Sequence, residues 1–348
     1  MKIKVVAENP IEQIVLALGM APVTLMDTHM SMLRARAIMV GTKLGIFDAV
    51  ANGAHTVEAI AAACGTHQYA TGKLLGALTG SGYLHHAGGR YDLTPVSRKW
   101  VVSTSPDSLR DKILFEFVEW EVIARTEEYL RSGRPLELHE SAGPEIWSIY
   151  QRAMRALSTL AAPEVVRRMP GLERAARMLD IGGSHGFYSV SFCRKYPALE
   201  AVVLDLPAAV EYAAPILAAE KMGDRVTHRP GNALTDDLGT EAWDFVFTSQ
   251  LVHHFDEAAN RELAGRVARA LKPGGMFAIL ELLRPASPDK AGQLGALLDL
   301  YFALTSESGT WSADEMTSWQ RDAGLVPQKP IFLRTMPGGA AIVAKRKR

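Results

Sequence analysis

Residues 179–186 read LDIGGSHG, and this short stretch decides the fold. It joins the end of an apolar, strand-like segment to a helix-like segment through Gly182, Gly183 and Gly186. Glycines in such a turn let a ligand approach the backbone closely, and the following helix offers free N–H groups at its first turn. The spacing differs from the dinucleotide fingerprint G-x-G-x-x-G, and His185 stands inside the loop. The stretch predicts a nucleotide-binding turn of a different kind.

Short apolar segments alternate with helical segments from Met178 onward. The strand-like segments read RMLDIGG, EAVVLDLP, RVTHRPGNA, DFVFTSQL and MFAILEL. This alternation predicts an α/β domain with a mostly parallel sheet covered by helices on both faces. Ligands of such sheets bind beyond the carboxyl ends of the strands, where the strand order reverses. The tail, residues 326–346, predicts an antiparallel hairpin around a Pro-Gly-Gly turn at the sheet edge.

Polar residues stand at the ends of three successive predicted strands. Asp180 ends the first strand, and Asp205 follows 25 residues later at the end of the second. A carboxylate in that place suits hydrogen bonds to the two hydroxyls of a ribose. Gly231, Asn232 and Ala233 end the third strand, where an amide can meet the edge of an adenine. Together the three strand ends predict an adenosine site, rather than an α/β domain with ordinary glycine turns.

The N-terminal region has the pattern of a winged helix. A helical segment carries its apolar residues at helical spacing, namely Leu33, Ala37, Val40, Leu44 and Phe47. Thr56 caps a short helix that stops at Gly65, a second helix runs from about His67 to Gly80, and a Gly-Gly hairpin follows. This plan is best known from DNA-binding proteins. The second helix offers only Lys73 to phosphates, so packing or dimer formation is favoured over DNA binding.

Composition limits the classes of partner. The 348 residues are 48% apolar, and 38 basic residues balance 38 acidic ones, so no overall charge attracts nucleic acid or an anionic membrane. The two cysteines lack metal-ligand spacing, which predicts a cytoplasmic protein without a metal site. The apolar run 14–21 is too short to span a membrane. The basic residues 345–348 are interpreted as a solvated tail, with a localisation or nucleic-acid role as the alternative.

Residues 178–283 resemble a class I S-adenosylmethionine-dependent methyltransferase. The resemblance rests on LDIGGSHG, VVLDLP, PGNA, TSQLVHHF and LKPGGMFAILEL. With the winged-helix region, the chain is similar to two-domain small-molecule O-methyltransferases, which include plant caffeate-type, acetylserotonin and bacterial natural-product enzymes. The resemblance implies a Rossmann-like seven-stranded sheet, a dimerisation domain over 12–105, and a helical bridge plus methyltransferase domain over 106–348. It also implies a homodimer that uses S-adenosyl-L-methionine and takes a small-molecule acceptor.

The resemblance also implies a general base and its acidic neighbours. His253 matches the family's base, and imidazole suits that role because it can accept a proton near neutral pH. A second histidine, His254, follows it where the family has an aspartate. Glu281 matches one acid that orients the base. For the second acid, Thr310 stands at the plant-type position, whereas Glu307 matches a glutamate of bacterial members.

Matching to the family assigns the remaining site residues. The expected cofactor-binding residues are Asp180, Gly182, Gly183, Gly186, Asp205, Leu206, Gly231, Asn232, Ala233 and Ser249. The expected walls of the acceptor site are Tyr150, Met154, His254, Tyr301 and Phe302, which suit a planar, aromatic or polyketide-like molecule. Two positions depart from the plant-type pattern, since Asn232 replaces an aspartate and Ser249 replaces a lysine.

Two alternatives to methyl transfer remain open from the sequence. Chains of this architecture also use the cofactor for hydroxylation, decarboxylation or pericyclic reactions. A winged-helix regulator that binds DNA is the more remote alternative, and it predicts salt-dependent duplex binding.

Overall fold

The chain divides between Phe117 and Val118 into two units in the computed structural model, which describes residues 2–136, 143–287, 290 and 292–348. The first unit contains α1 (Pro10–Ala17), α2 (Val23–Leu25), a π-helical turn (Met26–Met30), α3 (Ser31–Lys43), α4 (Ile46–Ala51), α5 (Val57–Cys64), α6 (Gln68–Gly80), β1 (Leu84–Ala87), β2 (Arg90–Leu93) and α7 (Pro95–Trp100). Helix α8 (Arg110–Ile123) runs across the division. The domain bounds given above stay predictions.

The predicted helix cap and hairpin of the first unit are confirmed. The Thr56 side chain accepts a hydrogen bond from the Ala59 N–H, and α5 ends at Gly65 in the left-handed conformation. The hairpin turn is made by Gly88 and Gly89, which both have positive φ, as the tight turn between β1 and β2 requires. Lys73 on α6 lies over the ring of Tyr69 at 4.9 Å from its centroid.

The predicted apolar face of the helix at residues 31–50 is only partly right. Phe47 is buried, but Leu33 and Leu44 are 52% and 41% exposed. Gly45, with φ of +77°, separates α3 from α4 and breaks the helical periodicity on which the prediction depended. The apolar side chains along this segment therefore belong partly to the core and partly to the surface.

The second unit contains the sheet and most of the remaining helices. Its strands are β3 (Arg177–Ile181), β4 (Glu200–Asp205), β5 (Val226–Pro230), β6 (Trp243–Ser249), β7 (Leu271–Leu282), β8 (Val326–Pro327), β9 (Ile331–Phe332) and β10 (Gly339–Lys345). Its helices are α9 (Thr126–Ser132), α10 (Pro144–Arg168), α11 (Phe187–Lys195), α12 (Pro207–Ala219), α13 (Glu257–Ala270), α14 (Gly292–Thr305) and α15 (Ala313–Asp322), with 3-10 turns at Gly223–Arg225 and Val252–His254.

The strand order is β5-β4-β3-β6-β7-β10-β8, and β9 pairs with β10 beside β8. The first five strands are parallel, whereas β10 is antiparallel to β7. The predicted α/β fold and the antiparallel hairpin at its edge are confirmed, and two short strands share the outermost of the seven positions. The order reverses between β3 and β6, which therefore form the switch point where ligands of such sheets bind.

Side chains of alternate strand residues fill two cores, one on each face of the sheet. Phe245 and Phe247 of β6 pack on the side of α10 and α11, whereas Val246 packs on the side of α13 and α15. Period-two alternation within a strand that is buried on both faces explains why the segment reads as continuously apolar. In the described part of the chain, no helix has both the length and the apolar character needed to cross a membrane.

Candidate functional site

The glycine loop joins β3 to α11 in a conformation that its glycines permit. Gly182 and Gly186 have φ of +66° and +73°, and a Cβ on Gly182 would lie 2.8 Å from the Leu251 side chain. A Cβ on Gly183 would lie 2.5 Å from the Asp180 carboxyl carbon. Each of the three positions therefore requires glycine, either for its backbone angle or for the space around it. The loop leads directly into the N-terminus of α11, where a helix favours negative charge.

Backbone hydrogen bonds join the three strand ends that the sequence singles out. The Gly182 N–H donates to Leu204 O at 2.8 Å, and the Gly231 N–H donates to Asp205 O at 2.8 Å. The loops after β3, β4 and β5 consequently lie side by side at one edge of the sheet. The structure thus brings the predicted cofactor-binding residues of these loops together.

Asp205 faces the glycine loop from the end of β4. Its Oδ2 accepts from the Ser184 N–H at 2.8 Å, and its Oδ1 accepts from the Leu206 N–H at 2.7 Å. Burial raises the pKa of Asp205, while these two N–H groups oppose the increase. Each carboxylate oxygen retains a lone pair for a further donor, as two neighbouring hydroxyls of a ribose require.

Asn232 lies in an exposed turn beyond β5, next to the half-buried Ala233. Its Oδ1 accepts from the Leu234 N–H at 2.9 Å, and its own N–H donates to Asp236 at 3.0 Å. A Cβ on Gly231 would lie 2.5 Å from the same Asp236 carboxylate. The turn is therefore fixed by local hydrogen bonds, and the Asn232 amide nitrogen remains a donor for a planar base.

Asp180 is buried beneath the glycine loop. The Ser189 hydroxyl donates to its Oδ2 at 2.7 Å, whereas Oδ1 has no hydrogen-bond partner among the described residues. Burial raises the pKa of this carboxyl to about 7, with the nearby charge of Asp205 adding to the increase. Burial raises the pKa of Tyr188 on α11, and the neighbouring Ser249 at the end of β6 opposes the increase. Both predicted residues therefore lie beside the loop.

His185 supports the loop from within. Its Nδ1 accepts from the Phe187 N–H at 3.1 Å, so the first turn of α11 gains an acceptor for one of its N–H groups. Burial lowers the pKa of His185 to about 3, helped by the positive charge of Arg155. The imidazole is therefore neutral near pH 7. In the structure, His185 makes a contact that supports the start of α11.

His253 and Glu281 form a buried pair beyond β6 and β7. Nδ1 of His253 lies 3.1 Å from Oε2 and 3.3 Å from Oε1 of Glu281, and both side chains are at most 3% exposed. The carboxylate also accepts from the Val252 N–H at 3.1 Å and from the Gln250 amide at 3.2 Å. Because a carboxylate can only accept, we assign the histidine proton to Nδ1, which leaves Nε2 as a base.

Two side chains hold the 3-10 turn that carries His253. The Asn260 amide donates to Val252 O at 2.9 Å and to Phe255 O at 3.1 Å. The Trp311 indole donates to Val252 O at 3.0 Å. The sequence analysis missed both residues: Asn260 lies 8 and 5 positions from the carbonyls that it binds, and Trp311 lies 59 positions from Val252. Their contacts fix the backbone on which the imidazole depends.

Two of the expected acceptor-wall residues, Phe302 on α14 and His254 in the 3-10 turn, lie next to His253. The ring of Phe302 lies 4.4 Å from that of His253, centroid to centroid, and the half-buried His254 ring lies 4.2 Å away. Tyr301 packs edge-on against Phe302 at 5.5 Å. Aromatic rings therefore line one side of the predicted base.

A buried carboxylate that the sequence analysis missed lies behind this wall. The Tyr301 hydroxyl donates to Oε1 of Glu119 at 2.8 Å, and Glu119 is 8% exposed. Burial raises the pKa of Tyr301, and the charge of Glu119 raises it further, so the phenol keeps its proton. The signal in the sequence was an acid among the aromatic residues 115–120, but that run also contains Glu116, whose side chain is 40% exposed, so the sequence could not show which acid is buried.

Helix α10 carries two further residues of the predicted acceptor wall, Tyr150 and Met154. Both side chains are half-buried. Burial raises the pKa of Tyr150, and the charges of Asp205 and Glu119 raise it further. Tyr150 therefore lies within electrostatic reach of Asp205 at the glycine loop and of Glu119 behind Tyr301, and its place in the acceptor wall stays a prediction.

The predicted second acid does not reach the histidine. Glu307 is exposed and has no hydrogen bond to His253, whereas Thr310 is buried and its hydroxyl donates to the Asp299 carboxylate on α14. The catalytic role of Glu307 stays a prediction that no contact supports. No group of three or more His, Cys, Asp or Glu side chains with metal-binding geometry occurs among the described residues.

Two family models match the chain, and both describe O-methyltransferases. The dimerisation domain of O-methyltransferases matches residues 26–103, and the O-methyltransferase domain matches residues 127–325, which is more than half of the chain. The chain belongs to the O-methyltransferase domain family. The enzyme's glycine loop and its His253–Glu281 pair both lie within the second match.

Relatives of the enzyme extend over nearly its whole length. The 3-hydroxy-5-methyl-1-naphthoate 3-O-methyltransferase of Streptomyces sahachiroi is 27% identical over 93% of this chain and 94% of its own. The L-tyrosine C(3)-methyltransferase of Streptomyces lavendulae is 29% identical over 87% of each chain. Human N-acetylserotonin methyltransferase, solved in complex with SAM, superposes with a TM-score of 0.82 at 19% identity, over 98% of this chain and 99% of its own. The names of the two Streptomyces relatives place the methyl group on an oxygen and on a carbon.

Proposed function

We propose that the enzyme transfers a methyl group from S-adenosyl-L-methionine to a hydroxyl of a small aromatic or polyketide-like molecule, with His253 as the general base. The buried His253–Glu281 pair carries this proposal. When bound, S-adenosylmethionine supplies an electrophilic methyl group whose transfer to the acceptor oxygen leaves S-adenosylhomocysteine. The protein holds the acceptor hydroxyl in line with that methyl group and removes the hydroxyl proton.

The residues at the carboxyl edge of the sheet fit the cofactor. Asp205 presents a carboxylate to the two ribose hydroxyls, and Asn232 presents an amide to the adenine. Asp180 Oδ1 is a buried acceptor without a partner among the described residues, as the ammonium group of an amino acid requires. Asn232, which stands where plant-type enzymes have an aspartate, therefore changes the contact with the adenine but keeps the adenosine site.

The proton path follows from the hydrogen bonds of His253. Glu281 accepts from Nδ1, so the lone pair of Nε2 is available to act as the base, and the rings of Phe302 and His254 lie beside the imidazole. A hydroxyl of the acceptor gives its proton to Nε2, and the positive charge that forms on the imidazole is stabilised by the Glu281 carboxylate. The aromatic rings around His253 favour a planar acceptor.

A homodimer is part of the proposal. It is supported by the dimerisation-domain match and by large apolar side chains that the first unit exposes, of which Met26, Met30, Met32 and Leu33 are each at least 40% exposed. Exposed apolar clusters of this kind mark protein contacts. A cytoplasmic location is also proposed, on the basis of two cysteines that form no disulfide.

The base role is tested by His253→Ala in a screen of phenols, polyketides and hydroxylated peptides, in which mass spectrometry detects the methylated product. We expect turnover of the best acceptor to fall about 10²- to 10⁴-fold, the usual contribution of general base catalysis, with S-adenosylhomocysteine affinity unchanged. His254→Ala is the matched control, and we expect its effect mainly on the acceptor KM.

Two outcomes would contradict the proposal. Methyl transfer by His253→Ala at nearly the wild-type rate would favour an acceptor that needs no base, such as an activated carbon. A product that forms without release of S-adenosylhomocysteine would identify a non-methylating enzyme. Both outcomes are read in the same assay, because it follows product mass and S-adenosylhomocysteine together.

A further inference from the structure

Helix α10 lies across the glycine loop and the start of α11. Gln151 contacts the loop, since the Ser184 hydroxyl donates to its Oε1. One turn further along α10, the guanidinium of Arg155 lies over the ring of Phe187 at 4.6 Å from its centroid. The two contacts place the Gln151 amide directly beside the loop.

The Gln151 side chain is completely buried, yet half of its amide is unsatisfied. It has an exposed fraction of 0%, and Nε2 has no hydrogen-bond partner among the residues that the structure describes. Leaving a buried donor without an acceptor costs free energy, so such groups are uncommon unless a bound molecule completes them. The hydrogen bond from Ser184 fixes Oε1 and leaves Nε2 as a hydrogen-bond donor available to a ligand.

The other polar groups around Ser184 are already engaged. The Ser184 N–H donates to Asp205 at 2.8 Å, and His228 Nε2 donates to Ser184 O at 2.8 Å. The Arg155 guanidinium makes two hydrogen bonds to Glu220, at 2.7 and 3.2 Å. Among the described residues, the buried side-chain atoms left open near this loop include one amide donor, Gln151 Nε2, and one carboxylate acceptor, Asp180 Oδ1.

One open donor and one open acceptor match the carboxylate and the ammonium group of an amino acid. We propose that Gln151 Nε2 donates a hydrogen bond to the carboxylate of the cofactor's methionine part. This inference rests on the proposed function, because it assigns a residue to one end of that cofactor. It makes Gln151 a binding residue for the amino-acid end, separate from Asp205, which serves the ribose.

The test is a binding measurement by titration calorimetry with three ligands. S-adenosylhomocysteine carries the carboxylate and the ammonium, its decarboxylated analogue carries the ammonium alone, and 5′-methylthioadenosine carries neither. For Gln151→Met, which keeps the volume of the side chain, we expect about a 10-fold or greater loss of affinity for S-adenosylhomocysteine, the effect of one hydrogen bond to a charged group. The other two ligands should bind as they do to the wild type.

A second variant and a control sharpen the result. Gln151→Glu places a carboxylate opposite the ligand carboxylate, so S-adenosylhomocysteine should weaken further while 5′-methylthioadenosine does not. Asp205→Asn is expected to weaken all three ligands together, because all three contain the ribose. Retained binding of 5′-methylthioadenosine shows that each Gln151 variant is folded.

The inference is overturned if Gln151→Met binds S-adenosylhomocysteine as the wild type does. It is also overturned if the decarboxylated analogue or 5′-methylthioadenosine loses as much affinity, since the amide would then support the loop instead of binding the carboxylate. Wild-type protein that binds none of the three ligands would remove the proposed function itself, so the two failures are distinguishable.

Discussion

At the scale of single residues, the site depends on which atoms of a few side chains are already occupied. Glu281 accepts from the imidazole, from a backbone N–H and from the Gln250 amide. These contacts fix the orientation of the carboxylate before any acceptor arrives, and they leave Nε2 of His253 as the ring nitrogen without a proton. An ordered second partner of this kind is what allows a histidine to act as a base in one tautomer.

Glu281→Gln is expected to lower kcat by about 10²-fold, within the range of general base catalysis, and to leave S-adenosylhomocysteine affinity unchanged. The glutamine side chain has an NH₂ group, a donor, where glutamate has a second acceptor oxygen. One of the three donors that now bind Glu281 would therefore lose its acceptor, or the His253 imidazole would change tautomer. Steady-state kinetics with the acceptor found in the screen measures the effect. Glu307→Gln is compared in parallel, and a loss of similar size there would place Glu307 in the catalytic set.

At the scale of elements, helix α10 is connected to the segment before β10 through one carboxylate. Glu164 Oε2 accepts from the N–H groups of Arg334 and Thr335, at 2.9 and 2.8 Å, and from the Thr335 hydroxyl at 2.7 Å, while Arg168 binds Oε1 at 2.9 Å. Burial alone would raise the pKa of Glu164, but the Thr335, Arg168 and Arg334 hydrogen bonds outweigh it and lower the pKa to about 2. The ionised form thus stabilises the contact that keeps α10 in place.

Glu164→Gln is expected to lower the free energy of unfolding at pH 7 by about 3 kcal/mol, the value of a pKa lowered from 4.5 to about 2. A lowered pKa stabilises the fold above the unfolded-state pKa, and this stabilisation is lost as the pH falls from about 5 toward 2. The difference between wild type and variant should therefore narrow in urea titrations from pH 5 to pH 3. Glu145→Gln, an exposed position on the same helix, serves as control, and a constant difference would contradict the prediction.

At the scale of the whole molecule, the second unit places the glycine loop and the His253 turn on neighbouring strands. The loop follows β3 and the turn follows β6, and these strands are adjacent only because the chain returns past β3 after β5. Both features consequently lie at the edge where the strand order reverses. The first unit does not carry these features, and residues 26–103 within it match a dimerisation domain.

Leu33→Glu is expected to weaken the homodimer by at least about 10-fold in dissociation constant, because a charge would enter an apolar contact. Leu33 is 52% exposed, within the residues matched by the dimerisation domain. Light scattering across a dilution series measures the mass. Leu130→Glu is the matched control, since Leu130 is 70% exposed on α9 in the second unit. Equal behaviour of the two variants would show that Leu33 lies outside the interface.

The sequence by itself determined the features whose physical cause is local. The glycines of residues 182–186, the Thr56 cap and the Gly88-Gly89 hairpin follow from backbone angles and from donors within a few positions. The alternation of strands and helices likewise predicted a mostly parallel sheet that binds ligands beyond the carboxyl ends of its strands. Resemblance to a family then added the pairing of His253 with Glu281.

Only the tertiary structure decided which distant side chains meet. It buries Glu119 against Tyr301, 182 positions away, and it brings the Gln151 amide to Ser184 while leaving Glu307 at the surface. It also exposes Leu33 and Leu44, which share their helical spacing with the buried Phe47. The physical reason is that burial and pairing of a polar group depend on what the folded chain places opposite it, and periodicity within one segment carries no information about that partner.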